Sequence, residues 1–330
     1  MWLTGSAALP PLPPEMMAVV ERLSAAFAAE AAELFLVGGI VRDQLLGRSL
    51  PADLDLTTSV APEVTRRLGE AAGAASSYLA GERFGTVGFI FEPSDDQRVR
   101  VEITTYRQEH YPDASRHPQV RLGGALLDDL ARRDFTVNAI AANAHTGELI
   151  DPYSGQADLH LAVLRAVGDP VARLEEDPLR LLRAARFVGQ LGFRIDDTTL
   201  TAMAQTATAL NRISRERVLQ ELNRLLIGDY VADGLDVLHQ TGLLAVAMSE
   251  LIPLAATTGD VGSRGYGREK DLWAHTKLVI SRTPPRRAVR WAALLHDAAK
   301  PETRSIDATG EVHFFGHERA GARLATKLMR

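Results

Sequence analysis

The hydrophobic pattern changes once along this chain of 330 residues, and that change limits the folds open to it. Up to about residue 148, short apolar or alternating runs, typical of strands, are interspersed with helical stretches. From about Glu175 onward, apolar residues recur at helical spacing and convincing strands are absent. We therefore predict an α+β fold, with a mixed sheet in a first domain over residues 1–148. All-helical segments are predicted to follow over residues 149–228 and 229–330.

Composition excludes several classes of site. The chain has no cysteine, which excludes disulfides, thiolate zinc sites and a cysteine nucleophile. A net charge of −5 argues against a wholly basic nucleic-acid coat, although a local basic cleft remains compatible with it. Residues 1–14 have neither the positively charged start nor the apolar run typical of a signal peptide, and no stretch approaches about 18 apolar residues. We therefore expect a cytoplasmic protein without a membrane partner.

Several elements of the first domain can be predicted from alternation, glycine and proline. A first helix is expected over Glu15–Ala32, after the proline-rich start, and another after the turn at Gly38-Gly39. A third helix is expected to begin near Pro62. The predicted strands are Leu34–Val37, Asp53–Thr57, Gly85–Phe91 and Val99–Thr105, with a hairpin loop over Glu92–Gln97 between the last two.

Two aspartates stand two residues apart on a predicted strand. Asp53 and Asp55 therefore point to the same face, where their carboxylates repel each other unless a cation lies between them. Magnesium prefers oxygen ligands, and Glu102 on a neighbouring strand is a candidate third ligand. Alone, this pattern is more often a pair of solvated carboxylates, and Glu102 could instead pair with Arg100.

A glycine pair lies ahead of these carboxylates, between a strand and a helix. Gly38 and Gly39 would let backbone N–H groups approach a phosphate. Arg42, one turn into the helix, could reach the same phosphate group. A lone Gly-Gly is usually a plain tight turn, but its combination with Asp53 and Asp55 is much rarer by chance.

Five segments in order resemble motifs of one enzyme family. Leu36–Gly47 with Asp53–Thr57 resembles the first motif of class II tRNA nucleotidyltransferases, the CCA-adding enzymes. These are grouped with bacterial poly(A) polymerases in the polymerase β superfamily. Four later segments resemble the family's ribose, connector, nucleobase and last neck motifs: Arg132–Ile140, Asp151–Gly155 with Asp158, Glu176–Arg186, and Ile213–Arg217 with Glu221. The resemblance covers roughly residues 33–226.

This resemblance implies a polymerase β-like head, a helical neck and an activity. The head would hold two magnesium ions at Asp53 and Asp55. The tRNA 3′ end would receive CMP or AMP from CTP or ATP, with release of pyrophosphate. A partial enzyme adding only CC or only A, and a poly(A) polymerase acting on other RNAs, share the same motifs.

The resemblance also implies roles for residues beyond the carboxylates. Arg133 and Asp134 would contact the ribose, with Asn138 ordering them, unless they form a charge pair at the start of an apolar helix. Asp177 and Arg180 would read the nucleobase, unless they form an i,i+3 ion pair on a helix. Arg183 and Arg186 would bind phosphates or stabilise the fold. The segment Tyr111–Pro118 resembles the family's mobile loop.

Histidines cluster near the end of the sequence. Leu294–Lys300 and His313–Glu318 resemble the HD domain, a helical metal-dependent phosphohydrolase module. The implied ligands of a second divalent metal are His275, His296, Asp297 and His317. Ordinary surface histidines are the alternative. The module usually needs a later aspartate, and the sequence reaches Arg330 before one appears, so we expect an incomplete module. A phosphohydrolase whose N-terminal part only binds RNA is a rival function.

Overall fold

The computed structural model describes residues 8–50, 53–79, 85–94, 97–110, 119–257, 271–309 and 312–328. The chain divides into two compact units, Met1–Asp169 and Pro170–Arg330. The predicted division into 1–148, 149–228 and 229–330 stays a prediction, because the compact units mark a single divide near residue 170.

The first unit is built on a mixed sheet, as expected. Its strands in the described residues are β1 Leu34–Val37, β2 Asp53–Thr58, β3 Ser76–Leu79, β4 Thr86–Ser94, β5 Gln97–Thr105, β8 Ala141–Asn143 and β9 Leu149–Ile150. They lie in the order β3-β4-β5-β2-β1-β8-β9. The pair β2 and β5 is parallel, whereas the other neighbouring pairs are antiparallel.

The described residues of the first unit also form five helices and three further short strands. The helices are α1 Pro14–Ala28, α2 Gly39–Leu45, α3 Pro62–Ala71, α4 Leu126–Ala131 and α5 Gly155–His160. The further strands are β6 Arg107–His110, β7 Gln119–Leu122 and β10 Val163–Leu164, and β6 pairs with β7. A 3₁₀ turn covers Thr136–Asn138, where we expected a longer apolar helix.

Alternation along β5 separates an apolar face of the sheet from a polar one. On β5, Val99, Val101 and Ile103 are buried, whereas the residues between them are exposed or half-buried. The apolar face packs against α1 and α3. At Gly69 of α3, an added Cβ would lie 2.2 Å from the Phe89 ring, so the helix and the sheet approach closely only because this residue is glycine. The polar face carries the carboxylates.

Most of the sequence-based boundaries in this unit are close to the observed ones. The first helix ends at Ala28 instead of Ala32. The strands β4 and β5 extend into the segment that we predicted as the Glu92–Gln97 loop. The short strand β3 was not predicted. The predicted mobile loop Tyr111–Pro118 lies outside the described residues.

The second unit is mainly helical. Its helices are α6 Pro170–Glu176, α7 Leu179–Leu191, α8 Asp197–Thr206, α9 Arg215–Leu226, α10 Val231–Gln240, α11 Leu243–Ala247, α12 Ile252–Ala256, α13 Leu272–Arg282, α14 Arg287–Leu295, α15 Lys300–Thr303 and α16 His317–Leu328. The 3₁₀ turns are Ala207–Arg212 and Ser249–Leu251. The expectation of an all-helical region is too strict, because β11 Arg194–Ile195 and a hairpin of β12 Ser305–Ile306 with β13 Val312–His313 interrupt it.

The helix α7 is the core of the second unit. It packs against α9 and α10, and its buried side includes Leu181, Ala185 and Val188, the stripe seen in the sequence. At Gly234 of α10, an added Cβ would lie 2.8 Å from the backbone oxygen of Ala185. The two helices therefore approach each other closely at that glycine.

Candidate functional site

Three carboxylates lie together on the polar face of the sheet. Asp55 on β2 is the register partner of Glu102 on β5, and Asp53 is the partner of Arg100. Because partners on neighbouring strands share a face, Asp53, Asp55 and Glu102 point to the same side. Arg100 Nε lies 3.7 Å from Asp53 Oδ1, so the observed partner of Arg100 is Asp53, not Glu102 as in the alternative reading.

Arg100 and Arg133 neutralise only part of the charge of the three carboxylates. Asp55 is exposed on the open face, yet the surrounding protein partly desolvates its carboxyl group. This desolvation, with the charges of Glu102 and Asp53, raises the pKa of Asp55 to about 6, although Arg133 opposes the shift. An all-oxygen cluster that keeps a net negative charge suits a hard divalent cation such as magnesium. The three side chains therefore fit the metal site expected from the sequence.

The glycine turn lies next to this cluster. Gly38 has φ +75°, a backbone conformation that favours glycine, and it follows β1 directly. Continuing the register of β1 with β2 brings Gly38 level with the Asp53–Asp55 segment. A Cβ added at Gly38 would lie 3.2 Å from Arg133 Nη1, so the turn and this guanidinium are in contact. Both lie on the β1 side of the carboxylates.

Arg133 is held in place by a buried aspartate. Asp129 of α4 has a fully buried side chain and accepts hydrogen bonds from Arg133 Nη2 at 3.0 Å and Arg132 Nε at 3.0 Å. Burial alone would raise the pKa of Asp129, but the two arginines outweigh burial and lower it. Asp129 was not among the residues predicted from the sequence, although its i,i+3 and i,i+4 spacing from the arginines was a usable signal.

Arg42, Asn138 and Asp134 form a buried chain of hydrogen bonds. Arg42 Nη1 donates to Asn138 Oδ1 at 2.7 Å, and its Nε donates to Asp43 at 2.9 Å. Asn138 Nδ2 donates in turn to Asp134 Oδ1 at 3.0 Å, which also accepts the backbone N–H of Phe135. Asn138 thus bonds to Asp134, and the role of this pair at the ribose stays a prediction. Arg42 joins α2 to the 3₁₀ turn, and its contact with phosphate stays a prediction.

The predicted connector motif is tightly bonded at its start. Asp151 accepts the backbone N–H groups of Gly155 at 2.7 Å and Gln156 at 2.9 Å. Asp158 accepts the hydroxyl of Thr136 at 2.7 Å and is paired with Arg165. These contacts fix α5 beside the turn that carries Asn138.

In the second unit, the predicted base-reading residues have other partners than expected. Asp177 lies in a break between α6 and α7, so it does not share a helix with Arg180. Arg180 Nη1 donates to Glu176 Oε2 at 2.8 Å and to the backbone oxygen of Arg173 at 2.7 Å. Asp177 Oδ1 accepts the backbone N–H of Leu179 at 3.1 Å. Arg180 therefore forms an i,i+4 ion pair with Glu176, and not the i,i+3 pair with Asp177 that was the alternative.

The two remaining arginines of this motif differ in their surroundings. Arg186 is 8% exposed, its Nε lies 2.6 Å from Glu221 Oε2, and its guanidinium lies over the Phe187 ring at 4.2 Å. It links α7 to α9 and so serves the fold. Arg183 is half-buried, with its guanidinium 5.6 Å from the same ring.

Three of the four proposed HD ligands converge. His275 Nε2 and His296 Nε2 lie 3.6 and 3.2 Å from Asp297 Oδ2, and the three ligand atoms lie within 4.8 Å of one another. His296 is the first residue after α14, and its imidazole faces the carboxylate of Asp297 there. His317 is not part of this group and contacts the backbone oxygen of Phe314. Lys300 Nζ lies 2.7 Å from Asp297 Oδ2 and would share that carboxylate with any bound metal.

Two family models match the chain. The poly(A) polymerase head domain matches residues 34–165, and the probable RNA and SrmB-binding site of polymerase A matches residues 192–254. Among the described residues, none of the helices combines the length and apolar character that a membrane span requires.

Similar proteins of known sequence are CCA-adding enzymes. The enzyme of Geobacillus sp. (strain WCH70) is 41% identical over 64% of this chain and 50% of its own length. That of Geobacillus thermodenitrificans is 35% identical over 89% of this chain and 66% of its own length. The chain therefore spans about half to two thirds of the length of these curated relatives.

Solved structures of the same family share the fold. The CCA-adding enzyme of Bacillus stearothermophilus in complex with CTP has a TM-score of 0.69 and 26% identity, over 96% of this chain and 69% of its own. A tRNA nucleotidyltransferase complexed with a primer tRNA and an incoming ATP analogue has a TM-score of 0.59 and 26% identity, over 83% of this chain and 74% of its own. The chain belongs to the nucleotidyltransferase family that has the poly(A) polymerase head domain and includes the CCA-adding enzymes.

Proposed function

We propose that the chain adds CMP, AMP or both from CTP and ATP to the 3′ end of tRNA without a template, releasing pyrophosphate. The observation that carries this proposal is the cluster of Asp53, Asp55 and Glu102 on one open sheet face. The contact between Gly38 and Arg133 lies beside that cluster. Relatives solved with CTP, and with primer tRNA and an ATP analogue, support both substrates.

Nucleotidyltransferases of this family generally use a divalent metal. We propose magnesium here, with two ions held by Asp53 and Asp55 and with Glu102 as a further ligand, because all three donors are carboxylate oxygens. Bound there, the metal would favour deprotonation of the attacking hydroxyl and neutralise the charge on the leaving pyrophosphate.

The chain's own residues would position the reactants. The RNA 3′-hydroxyl must attack the α-phosphate in line with the departing pyrophosphate. Gly38 leaves its backbone open to a phosphate, and Arg133 offers a cation at the same turn, so this side would hold the triphosphate. Asp134, which Asn138 holds in position, would accept a hydrogen bond from a ribose hydroxyl.

Asp177 and Arg180 in the second unit would recognise the nucleobase. Glu176 and the backbone oxygen of Arg173 hold the Arg180 guanidinium, while the N–H of Leu179 holds Asp177. Side chains fixed in this way can present a constant set of donors and acceptors to a nucleobase. Arg180→Ala should therefore reduce the discrimination of C and A from U and G, and unchanged selectivity would count against this role.

The test of the activity is incorporation of labelled CTP and ATP into tRNA that lacks its CCA end. Addition of two C residues and one A identifies a CCA-adding enzyme, whereas a CC-adding or A-adding enzyme stops earlier or needs a CC end. Unlimited ATP addition to any RNA would identify a poly(A) polymerase instead. Asp53→Ala that keeps full activity would overturn the metal assignment.

A second candidate function rests on the convergence of His275, His296 and Asp297. Two imidazoles and a carboxylate suit a divalent transition metal, and such a site would make phosphate ester hydrolysis available to the second unit. Phosphate release that survives Asp55→Ala but is lost in Asp297→Ala would support hydrolysis. Release that is absent from the wild-type chain with added divalent metals would exclude it.

A further inference from the structure

Tyr78 lies on the same sheet face as the carboxylates. The register places Tyr78 of β3 opposite Gly88 of β4, and Gly88 opposite Glu102 of β5. Asp55 of β2 continues the same row. At about 4.8 Å between neighbouring strands, Tyr78 begins about 10 Å from Glu102.

The Tyr78 side chain leans from its own strand towards that row. A Cβ added at Gly88 would lie 2.2 Å from Tyr78 Cζ, so the ring covers Gly88 and lies one strand from Glu102. Partial burial, the charge of Glu102 and that of Asp53 raise the pKa of Tyr78, although Arg100 opposes them. Tyr78 is nevertheless 40% exposed. An aromatic ring covering a sheet glycine stabilises the sheet, but that task does not require an open ring beside carboxylates.

The two sides of the carboxylate cluster differ in chemistry. On the β1 side lie the Gly38 turn and Arg133, which suit phosphates. On the opposite side, towards the edge strand β3, lie the exposed ring of Tyr78 and Arg100, which pairs with Asp53. In-line displacement requires the attacking hydroxyl and the leaving pyrophosphate to approach the phosphorus from opposite sides. If pyrophosphate leaves on the β1 side, the RNA end must enter from the β3 side.

We propose that Tyr78 binds the acceptor end of the RNA by stacking against its terminal nucleobase, and so brings the 3′-hydroxyl next to the carboxylates. This inference rests on the proposed nucleotidyl transfer. Stacking on an aromatic side chain tolerates any base, which suits an acceptor whose terminal residue changes as nucleotides are added. The incoming nucleotide does not contact Tyr78 in this arrangement.

The experiment compares Tyr78→Ala, Tyr78→Phe and Leu79→Ala in the full chain. Leu79 is the matched control, because it is 51% exposed on the same strand but points to the other face. Three quantities are measured: the KM for tRNA, the KM for CTP and ATP, and the fluorescence of 2-aminopurine at the 3′ end of a bound RNA. Stacking quenches 2-aminopurine, whereas a merely structural role of Tyr78 would leave the quenching unchanged.

Tyr78→Ala should raise the KM for tRNA about tenfold, which corresponds to about 1.4 kcal/mol, and leave the KM for CTP and ATP within about twofold. It should also relieve the quenching, while Tyr78→Phe and Leu79→Ala behave like the wild type. Equal quenching and equal KM for tRNA in Tyr78→Ala would overturn the inference, as would a defect of the same size in Tyr78→Phe. If the wild type quenches through Tyr78 but incorporates no nucleotide, the proposed function fails and the stacking role stands.

Discussion

Replacing Asp129 by asparagine tests whether the buried charge behind Arg133 holds the candidate site together. The substitution keeps the size of the side chain and removes its charge. Two guanidiniums, those of Arg132 and Arg133, then lose the carboxylate that they share at 2.5–3.0 Å. Arg133 would also lose the anchor that holds it beside Gly38.

The magnitude follows from burial. Removing one partner from a buried ion pair costs about 3–5 kcal/mol. The Asp129 side chain is fully buried, but those of Arg132 and Arg133 are 17% and 18% exposed, so water can take over part of their hydrogen bonding. We therefore expect the lower end of the range, a loss of about 3 kcal/mol in the free energy of unfolding.

The pH dependence has a definite sign. The pKa of Asp129 is lowered in the folded protein, to below the value of about 3.9 expected in the unfolded chain. Its contribution to stability is therefore complete above about pH 4 and is lost only as the pH falls through the folded pKa. The difference between the wild type and Asp129→Asn should stay constant between about pH 5 and pH 8.

The assay is urea denaturation followed by circular dichroism at several pH values, with Glu92→Gln as the control. Glu92 pairs with Arg98 at 3.0 Å, but these side chains are 45% and 80% exposed, so the control should lose less than about 1 kcal/mol. An Asp129→Asn loss no larger than that of the control would refute the reasoning. A loss that already shrinks between pH 7 and pH 5 would refute it as well.

Three further substitutions test packing and charge elsewhere. Gly155→Ala would place a Cβ 2.3 Å from the backbone oxygen of Thr136 and should cost about 1–3 kcal/mol; an unchanged melting temperature would contradict this contact. Glu221→Ala leaves buried Arg186 without its carboxylate and should lower the free energy of unfolding by about 3 kcal/mol. The double variant Arg186→Ala/Glu221→Ala should lose less than the sum of the two single variants, and additive losses would exclude coupling. Because the pKa of Asp55 is raised to about 6, its ionised form destabilises the metal-free fold at neutral pH. Asp55→Asn should therefore melt higher in EDTA and gain less stability from magnesium than the wild type; an equal gain would argue against metal binding there.

The backbone of the site could be predicted from the sequence because local rules determine it. Alternation places Asp53 and Asp55 on one face of a strand, and the position of Gly38 between a strand and a helix predicts the turn. The strand that pairs with β2 depends on contacts distant in sequence, so the alignment of Glu102 with Asp55 required the structure. The short strand β3 and its Tyr78 gave no periodic signal.

Side-chain partners were harder to predict than positions. Asp177 precedes Pro178, and a residue before proline avoids the helical conformation, so the break between α6 and α7 was readable in the sequence. That break takes Asp177 off the helix that carries Arg180. Tertiary packing determines which neighbour a guanidinium pairs with, as Arg42 and Arg186 illustrate. The cytoplasmic location stays a prediction.

Sequencing of the RNA products formed from tRNA lacking its CCA end shows directly whether the chain transfers nucleotides to that end. The wild-type chain is incubated with CTP and ATP, separately and together, in parallel with Asp53→Ala and Asp55→Ala. We predict addition of C, A or both at the tRNA 3′ end that stops at or before a completed CCA, with no addition by either variant. The absence of any addition by the wild type, or full addition by Asp53→Ala, would contradict the account.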